Sequence, residues 1–288
     1  MSNQSTLPTM QFHSPIRPFL RWAGGKSRIT KLLADYVPEK YNRYWEPFLG
    51  SGALYFYLRP EKAYLSDSNA VLVDCYKHVR EYPVKISKKL QDYRRQTSED
   101  YYYAVRDLYN KSRSSVEQSA RFIYLNKSNF NGIFRVNEKG DYNVPYGYKK
   151  SLAIPGLDEF KEISKLLKSA TIQNHTFEQM KNNKLLKSND FIYLDPPYPP
   201  LTTTSYFTHY TAERFSWADQ EKVAELANML KSKGCFILVS NSDVPKVRAL
   251  YKGWNLYKLP VVRWVAANGK RHKVNELVIT NYEPSLGG

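Results

Sequence analysis

Short apolar runs alternate with amphipathic stretches at both ends of the chain, and a polar, tyrosine-rich middle separates them. An extended run at 44–48 opens into Gly50-Ser51-Gly52, and a helical stretch follows at 53–58. A second run, 63–66, ends at Asp67. Three more apolar runs come after residue 168, at 171–173, 191–194 and 235–240, with a helix-like segment at 217–232 between the last two. Strands that alternate with helices predict a parallel sheet with crossover helices. Two longer extended runs, 255–265 and 274–282, flank Asn268-Gly269, a strong hairpin dipeptide, so an antiparallel pair is predicted to close the sheet.

Between 71 and 168 the rhythm changes: tyrosine, lysine and arginine become dense, helical patterns dominate, and extended signals shrink to one hairpin-like patch. The chain therefore reads as an α/β protein in two parts. Residues 1–70 and 169–288 build the sheet, and 71–168 form an inserted, mainly helical domain.

Charge sharpens this picture. The 288 residues carry a formal charge of +16 with a pI near 9.6, an excess that favours a polyanionic partner, nucleic acid foremost. A membrane surface fits less well, because neither a basic amphipathic helix nor a lipidation motif is present. Cys75 and Cys235 lie far apart inside apolar runs, which argues against a disulfide framework and fits a reducing cytosol. His13, His78, His175, His209 and His272 lack ligand spacing, so no metal is expected. Residues 1–18 lack the apolar core of a signal peptide and no segment is long enough to span a bilayer, so a cytoplasmic location is expected.

The sharpest motif is Asp195-Pro196-Pro197-Tyr198, reached directly from the apolar run 191–194. Two prolines fix φ and remove backbone donors, so a carboxylate, a proline carbonyl and an aromatic ring are held in one relation suited to an amino group on a flat base. The plainer reading is an edge-strand turn in which Asp195 caps a loop and Tyr198 packs.

Glu46-Pro47-Phe48-Leu49-Gly50-Ser51-Gly52 sits where a first strand meets its helix, the place at which open α/β sheets bind nucleotides. Tyr55 stands where a dinucleotide fingerprint wants a third glycine, which favours a nucleoside without phosphates. Asp67 is placed for ribose hydroxyls, or else to cap a loop. Trp22-Ala23-Gly24-Gly25-Lys26-Ser27 ends like a phosphate-binding loop, but Leu20 replaces that motif's first glycine. Trp22 and Lys26 instead offer a ring face and a cation to a ligand with an adenine ring and a carboxylate.

Further on, Lys127, Arg135, Lys149 and Lys150 interleave with Asn126, Phe130, Asn131, Asn143, Tyr146 and Tyr148. Cations neutralise phosphates, arginine and asparagine pair with base edges, and an aromatic fills the gap left by an extruded base. A solvated, tyrosine-rich hairpin would look similar. Gly269-Lys270-Arg271-His272-Lys273 is a second candidate phosphate contact.

Taken in order, the block 19–26 with Trp22 and Lys26, Glu46-Pro47-Phe48 with its glycines, the basic insertion and Asp195-Pro196-Pro197-Tyr198 resemble the Dam-type, alpha-group DNA adenine-N6 methyltransferases, particularly the GATC-recognising modification enzymes. The resemblance covers nearly the whole chain. It implies a Rossmann-like class I methyltransferase sheet, mostly parallel with an antiparallel C-terminal hairpin, and an inserted helical DNA-recognition domain. It also implies S-adenosylmethionine as cofactor and double-stranded DNA as partner. By the same resemblance Trp22, Lys26, Glu46, Phe48, Gly50, Gly52, Asp67, Phe177 and Asp195 lie along the cofactor. Arg21, Phe130, Asn131, Ile133, Arg135, Pro145 and Tyr148 fall on DNA-contacting positions, and Asp195, Pro196, Pro197 and Tyr198 form the catalytic loop. Arg21 stands where some members carry lysine, which keeps the charge but alters the geometry. A single base is methylated per visit, for which a monomer suffices. Cytosine-N4 methylation and a non-catalytic DNA-binding adaptor on the same fold are the competing readings.

Overall fold

The computed structural model describes residues 16–199, 215–264 and 271–285. The turn at Asn268-Gly269, the side chains of 270–273, His13 and His209 lie outside the described residues. A short helix α1 (Thr30–Ala34) precedes β1 (Tyr44–Glu46), α2 (Ala53–Leu58) and β2 (Ala63–Asp67). Then come α3 (Ala70–Glu81), α4 (Pro83–Arg95), α5 (Glu99–Lys111), α6 (Val116–Ser128) and α7 (Leu157–Lys168) before β3 (Ala170–Asn174). The chain continues through β4 (Phe191–Leu194), α8 (Trp217–Ser232), β5 (Phe236–Ser242), α9 (Pro245–Leu250), β6 (Asn255–Trp264) and β7 (Arg271–Thr280).

These strands form a seven-stranded sheet in the order β3-β2-β1-β4-β5-β7-β6. The first five are parallel, and β7 runs antiparallel to both β5 and β6. The fold class expected from the sequence is thus the one observed. One reading is corrected: β4 pairs with β1 on one side and β5 on the other, so Asp195 does not follow an edge strand.

Apolar runs with no alternation follow from burial on both faces. In β4, Phe191 and Tyr193 join a core with α2, α3, α6 and α7, while Ile192 and Leu194 join a second core with α8. Among the described residues, α3 to α7 all lie between β2 and β3, a crossover that one helix could make. Helices α3 and α7 pack on the β2–β3 side of the sheet, and α4 and α6 pack on them. The first core is continuous from the sheet into these helices: Phe19 meets Tyr76 of α3 edge-on at 4.9 Å and lies 6.2 Å from Phe160 of α7.

The bases of β1 and β4 are clasped together. Asp190, fully buried, accepts Arg43 Nε and Nη2 at 2.9 Å each, Trp45 Nε1 at 3.0 Å and the Lys187 amide at 3.1 Å. Asp190→Ala would strand Arg43 and the Trp45 N–H, and a loss of about 3–5 kcal/mol is expected from urea unfolding. An unfolding midpoint equal to wild type would show that the clasp contributes nothing net.

Candidate active site

The sheet order reverses at β1: the chain leaves β1 toward β2 and β3, then returns to lay β4 on the other side. Loops after β1 and β4 therefore diverge and leave a crevice beyond their carboxyl ends, where α/β sheets bind ligands. Both sharp motifs of the sequence meet there.

Glu46 ends β1 buried, accepting the Tyr44 hydroxyl at 2.9 Å and the Tyr55 amide of α2. Burial pushes its carboxyl well above the ordinary range, and Asp195 and Asp67 push the same way. The loop that follows turns on Gly50 and Gly52, with φ of +47° and +63°. A Cβ on Gly50 would stand 2.9 Å from Trp22 Cδ1, so the indole lies directly on this loop. Asp67, at the tip of β2, accepts the Gly50 amide at 3.0 Å and the Asn69 amide at 2.9 Å. The loop-capping role is therefore real, and Asp67 ties the first two strand tips together. Phe48 stacks on Phe177 with centroids 5.2 Å apart.

From the β4 side, Asp195 meets Lys26, whose ammonium reaches Oδ1 at 2.8 Å and Oδ2 at 2.9 Å and also donates to the Gly24 carbonyl at 2.6 Å. Lys26 thus points at a carboxylate, not at a phosphate cradle. The same ammonium lies 4.5 Å from the centre of the Tyr198 ring. Ser240 Oγ donates to Asp195 Oδ1 at 2.6 Å, and Tyr193 Oη stands 3.0 Å from Ser240 Oγ. Burial raises the Asp195 carboxyl above its ordinary range, Lys26 and Ser240 oppose that, and Glu276 adds to it. Tyr198 donates to Glu276 Oε2 of β7 at 2.9 Å. Pro196 is buried, Pro197 is exposed, and the Pro197 carbonyl accepts Gln220 Nε2 of α8 at 2.6 Å.

A second set of expected residues gathers on the insertion. Asn126, fully buried on α6, accepts the Arg21 amide at 2.8 Å and donates to the Arg21 carbonyl at 2.9 Å. The turn that follows carries Phe130, 54% exposed, and Asn131 in left-handed backbone at φ +58°. A Cβ on Gly132 would meet Arg21 Cδ at 2.3 Å, so Arg21 lies flat on this turn. Ile133 is half-buried against the core. The Phe130 amide donates to the Pro145 carbonyl at 3.0 Å, and Arg135 donates to Asn143 Oδ1 at 2.7 Å and to its carbonyl at 3.0 Å. Tyr148 is 69% exposed and bonds Glu99. Lys149 Nζ donates to the Lys127 carbonyl at 2.6 Å. Burial, with Arg21 close by, lowers both Lys127 and Lys149 to about 8. The two sets touch at Trp22, which stacks on Phe134 of the insertion at 5.5 Å.

The match to known proteins agrees with this geometry. Residues 22–267 match the family model of the D12 class N6 adenine-specific DNA methyltransferases. A Type II methyltransferase of Lactococcus lactis subsp. cremoris is 39% identical over 272 residues, covering 93% of this chain and 96% of its own. The DNA adenine methylases of Haemophilus influenzae and Escherichia coli are 36% and 31% identical, over 91% and 94% of this chain and 92% and 96% of their own. The chain belongs to the D12 class of N6 adenine-specific DNA methyltransferases. It is a DNA methyltransferase, and the family's chemistry is on adenine N6, which sets the cytosine-N4 and adaptor readings aside.

In this methyltransferase Ser240, Tyr193, Glu276 and Gln220 surround the 195–198 loop, and sequence reasoning did not single them out. The only signal was the polar string Ser240-Asn241-Ser242 at the end of an apolar run. Ser240→Ala removes a donor that favours the Asp195 carboxylate, so its pKa rises further. If the ionised form is the working one, the acid limb of the kcat profile moves to higher pH than in wild type. A limb that stays in place would separate Ser240 from the Asp195 titration.

Proposed function

We propose that the enzyme transfers a methyl group from S-adenosylmethionine to N6 of an adenine flipped out of duplex DNA, within GATC. The observation that carries this reading is the placement of the Lys26 ammonium: an amine hydrogen-bonded to Asp195 and lying over the Tyr198 ring occupies the position that an exocyclic amine on a stacked base requires.

Trp22, Lys26, Glu46, Phe48, Gly50, Gly52, Asp67, Asp195 and Phe177 would hold the cofactor. The site fits a cationic nucleoside: Asp195 and Asp67 each make a negative charge on Glu46 harder to bear, so a positive ligand relieves the crevice. S-adenosylmethionine, when bound, supplies an electrophilic methyl group on a sulfonium centre. Adenine N6 is a weak nucleophile because its lone pair is delocalised into the ring, and stacked in a duplex it cannot reach the crevice. Tyr198 stacks on the extruded base. Asp195 and the Pro196 carbonyl each accept one N6 hydrogen, which favours a pyramidal nitrogen with its lone pair directed outward. Lys26 must first release Asp195. Asp195 then takes the proton as positive charge develops on nitrogen, and positioning with charge stabilisation supplies most of the acceleration.

Residues 71–168 act as the target-recognition domain, with 1–70 and 169–288 as the catalytic domain. Phe130 and Asn131 enter the duplex beside the flipped base, Arg135 reads a base edge in an orientation set by Asn143, and Ile133, Pro145 and Tyr148 line the DNA. Arg21, Lys127 and Lys149 take phosphate or outer-base contacts. The enzyme acts as a cytoplasmic monomer, and its likeness to the Type II methyltransferase of Lactococcus lactis supports a modification role. No described helix is long and apolar enough to cross a membrane.

Incubation with cofactor and unmethylated duplex, followed by nucleoside mass spectrometry, is expected to give N6-methyladenine that vanishes when every GATC is destroyed. Asp195→Ala is expected to keep DNA binding and lose on the order of 10² to 10⁴ in rate; a wild-type rate would displace Asp195 from the chemistry. Lys127 and Lys149 are charged below about 8, so DNA affinity is expected to fall as pH rises through that value. Lys127→Met should weaken binding, flatten that fall and reduce the salt slope by about one. An identical pH profile in the variant would remove Lys127 from the phosphate contact.

A further inference from the structure

The catalytic loop is held from behind by two buried amides. Gln220, in the first turn of α8 and 2% exposed, donates from Nε2 to the Pro197 carbonyl at 2.6 Å. Its Oε1 accepts Asn241 Nδ2 of β5 at 2.9 Å, and Asn241, fully buried, accepts the Ser242 amide on Oδ1 at 2.8 Å. The direction of this chain is forced. A backbone N–H at one end can only donate and a carbonyl at the other can only accept, so each amide has one orientation that leaves no polar atom unpaired. Reversing either would set oxygen against oxygen at one contact and nitrogen against nitrogen at the other, and both side chains are buried.

The consequence concerns the loop's two functional acceptors. Pro197 lacks an N–H, as does Pro196, so neither residue can anchor this turn by donating a backbone hydrogen bond. Its placement falls to groups that grip its carbonyls and side chains. Lys26 and Ser240 hold Asp195, Glu276 holds Tyr198, and the Pro197 carbonyl is gripped by Gln220. The Pro196 carbonyl, one peptide away, inherits its position from that grip.

We infer that Gln220 and Asn241 form a directional amide relay that positions the Pro196 carbonyl and Tyr198 for methyl transfer. Gln220 is a positioning residue: it acts through the loop and not on the base. The inference rests on the reading of the 195–198 loop as the site of transfer.

The test exploits direction. Gln220→Glu replaces the donor with a carboxyl that can still accept from Asn241, but it can donate to Pro197 only when protonated. Burial raises the pKa of such a carboxyl. The rate of the variant relative to wild type, taken at each pH from about 6 to about 9, is therefore expected to fall as pH rises. At the alkaline end kcat should be down by about 10², with KM for cofactor and affinity for DNA little changed. Gln220→Leu, unable to donate at any pH, should be slow with a flat ratio. Asn241→Asp does not touch the loop, yet an ionised carboxylate there turns the Gln220 amide round, so it should reproduce the same pH-dependent fall. It also serves if the position-220 variants do not fold.

A flat ratio in both Gln220→Glu and Asn241→Asp, or a rise in KM with kcat intact, would overturn the relay while leaving Asp195 in place. If Asp195→Ala keeps the wild-type rate, the reading of the loop itself fails and the relay falls with it. Wild-type kcat in Gln220→Leu would equally overturn the inference.

Discussion

Asp195 sits where a carboxylate loses most of its hydration, and the rest of the site is arranged around making that ionised group tolerable. Burial alone favours the neutral acid. The Lys26 ammonium on both oxygens and the Ser240 hydroxyl on one of them oppose that effect, while Glu276 nearby adds to it. An ion pair of this kind is a weak source of stability, because desolvation offsets attraction. Its value lies elsewhere: the cation seated on both oxygens opposes the effect of burial and fixes the orientation of the carboxylate in the crevice.

The ion pair joins distant parts of the chain, and the sheet makes that possible. Lys26 comes from the segment before β1 and Asp195 from the tip of β4, and they meet at the crevice that the reversal of strand order at β1 opens. Asp67 ties β2's tip to the Gly50 loop, and Asp190 ties the bases of β1 and β4. The crevice is thereby braced at both ends of the strands that form it.

The insertion is joined to this crevice by packing and not merely by covalent connection. Asn126 grips the backbone of Arg21, and Trp22, the next residue, stacks on Phe134 while resting on Gly50. The exposed Phe130 turn is therefore linked to the Gly50 loop through Arg21 and Trp22. Cations cluster on the same side: Arg21 and Lys149 lie close enough to Lys127 to depress it, a strain on like charges that a phosphate would relieve.

Much of this was legible in the chain. The runs at 53–58, 191–194 and 217–232 became α2, β4 and α8 with those bounds, because continuous apolar runs and helical periodicity report burial directly. The motif residues were legible too, since prolines and glycines restrict the backbone wherever they stand. What sequence could not supply was any relation between residues remote in the chain. That β4 is central and not an edge, that Lys26 seats on Asp195, that Asp67 spends its oxygens on backbone amides, and that Ser240, Glu276 and Gln220 brace the loop all depend on strand order and register. Local propensity carries no such information: a serine at the end of an apolar run reads the same whether it faces solvent or a carboxylate. The sequence by itself determined the elements and the chemistry available to them; the tertiary structure decided which groups meet, because hydrogen bonds and ion pairs act only at contact distance.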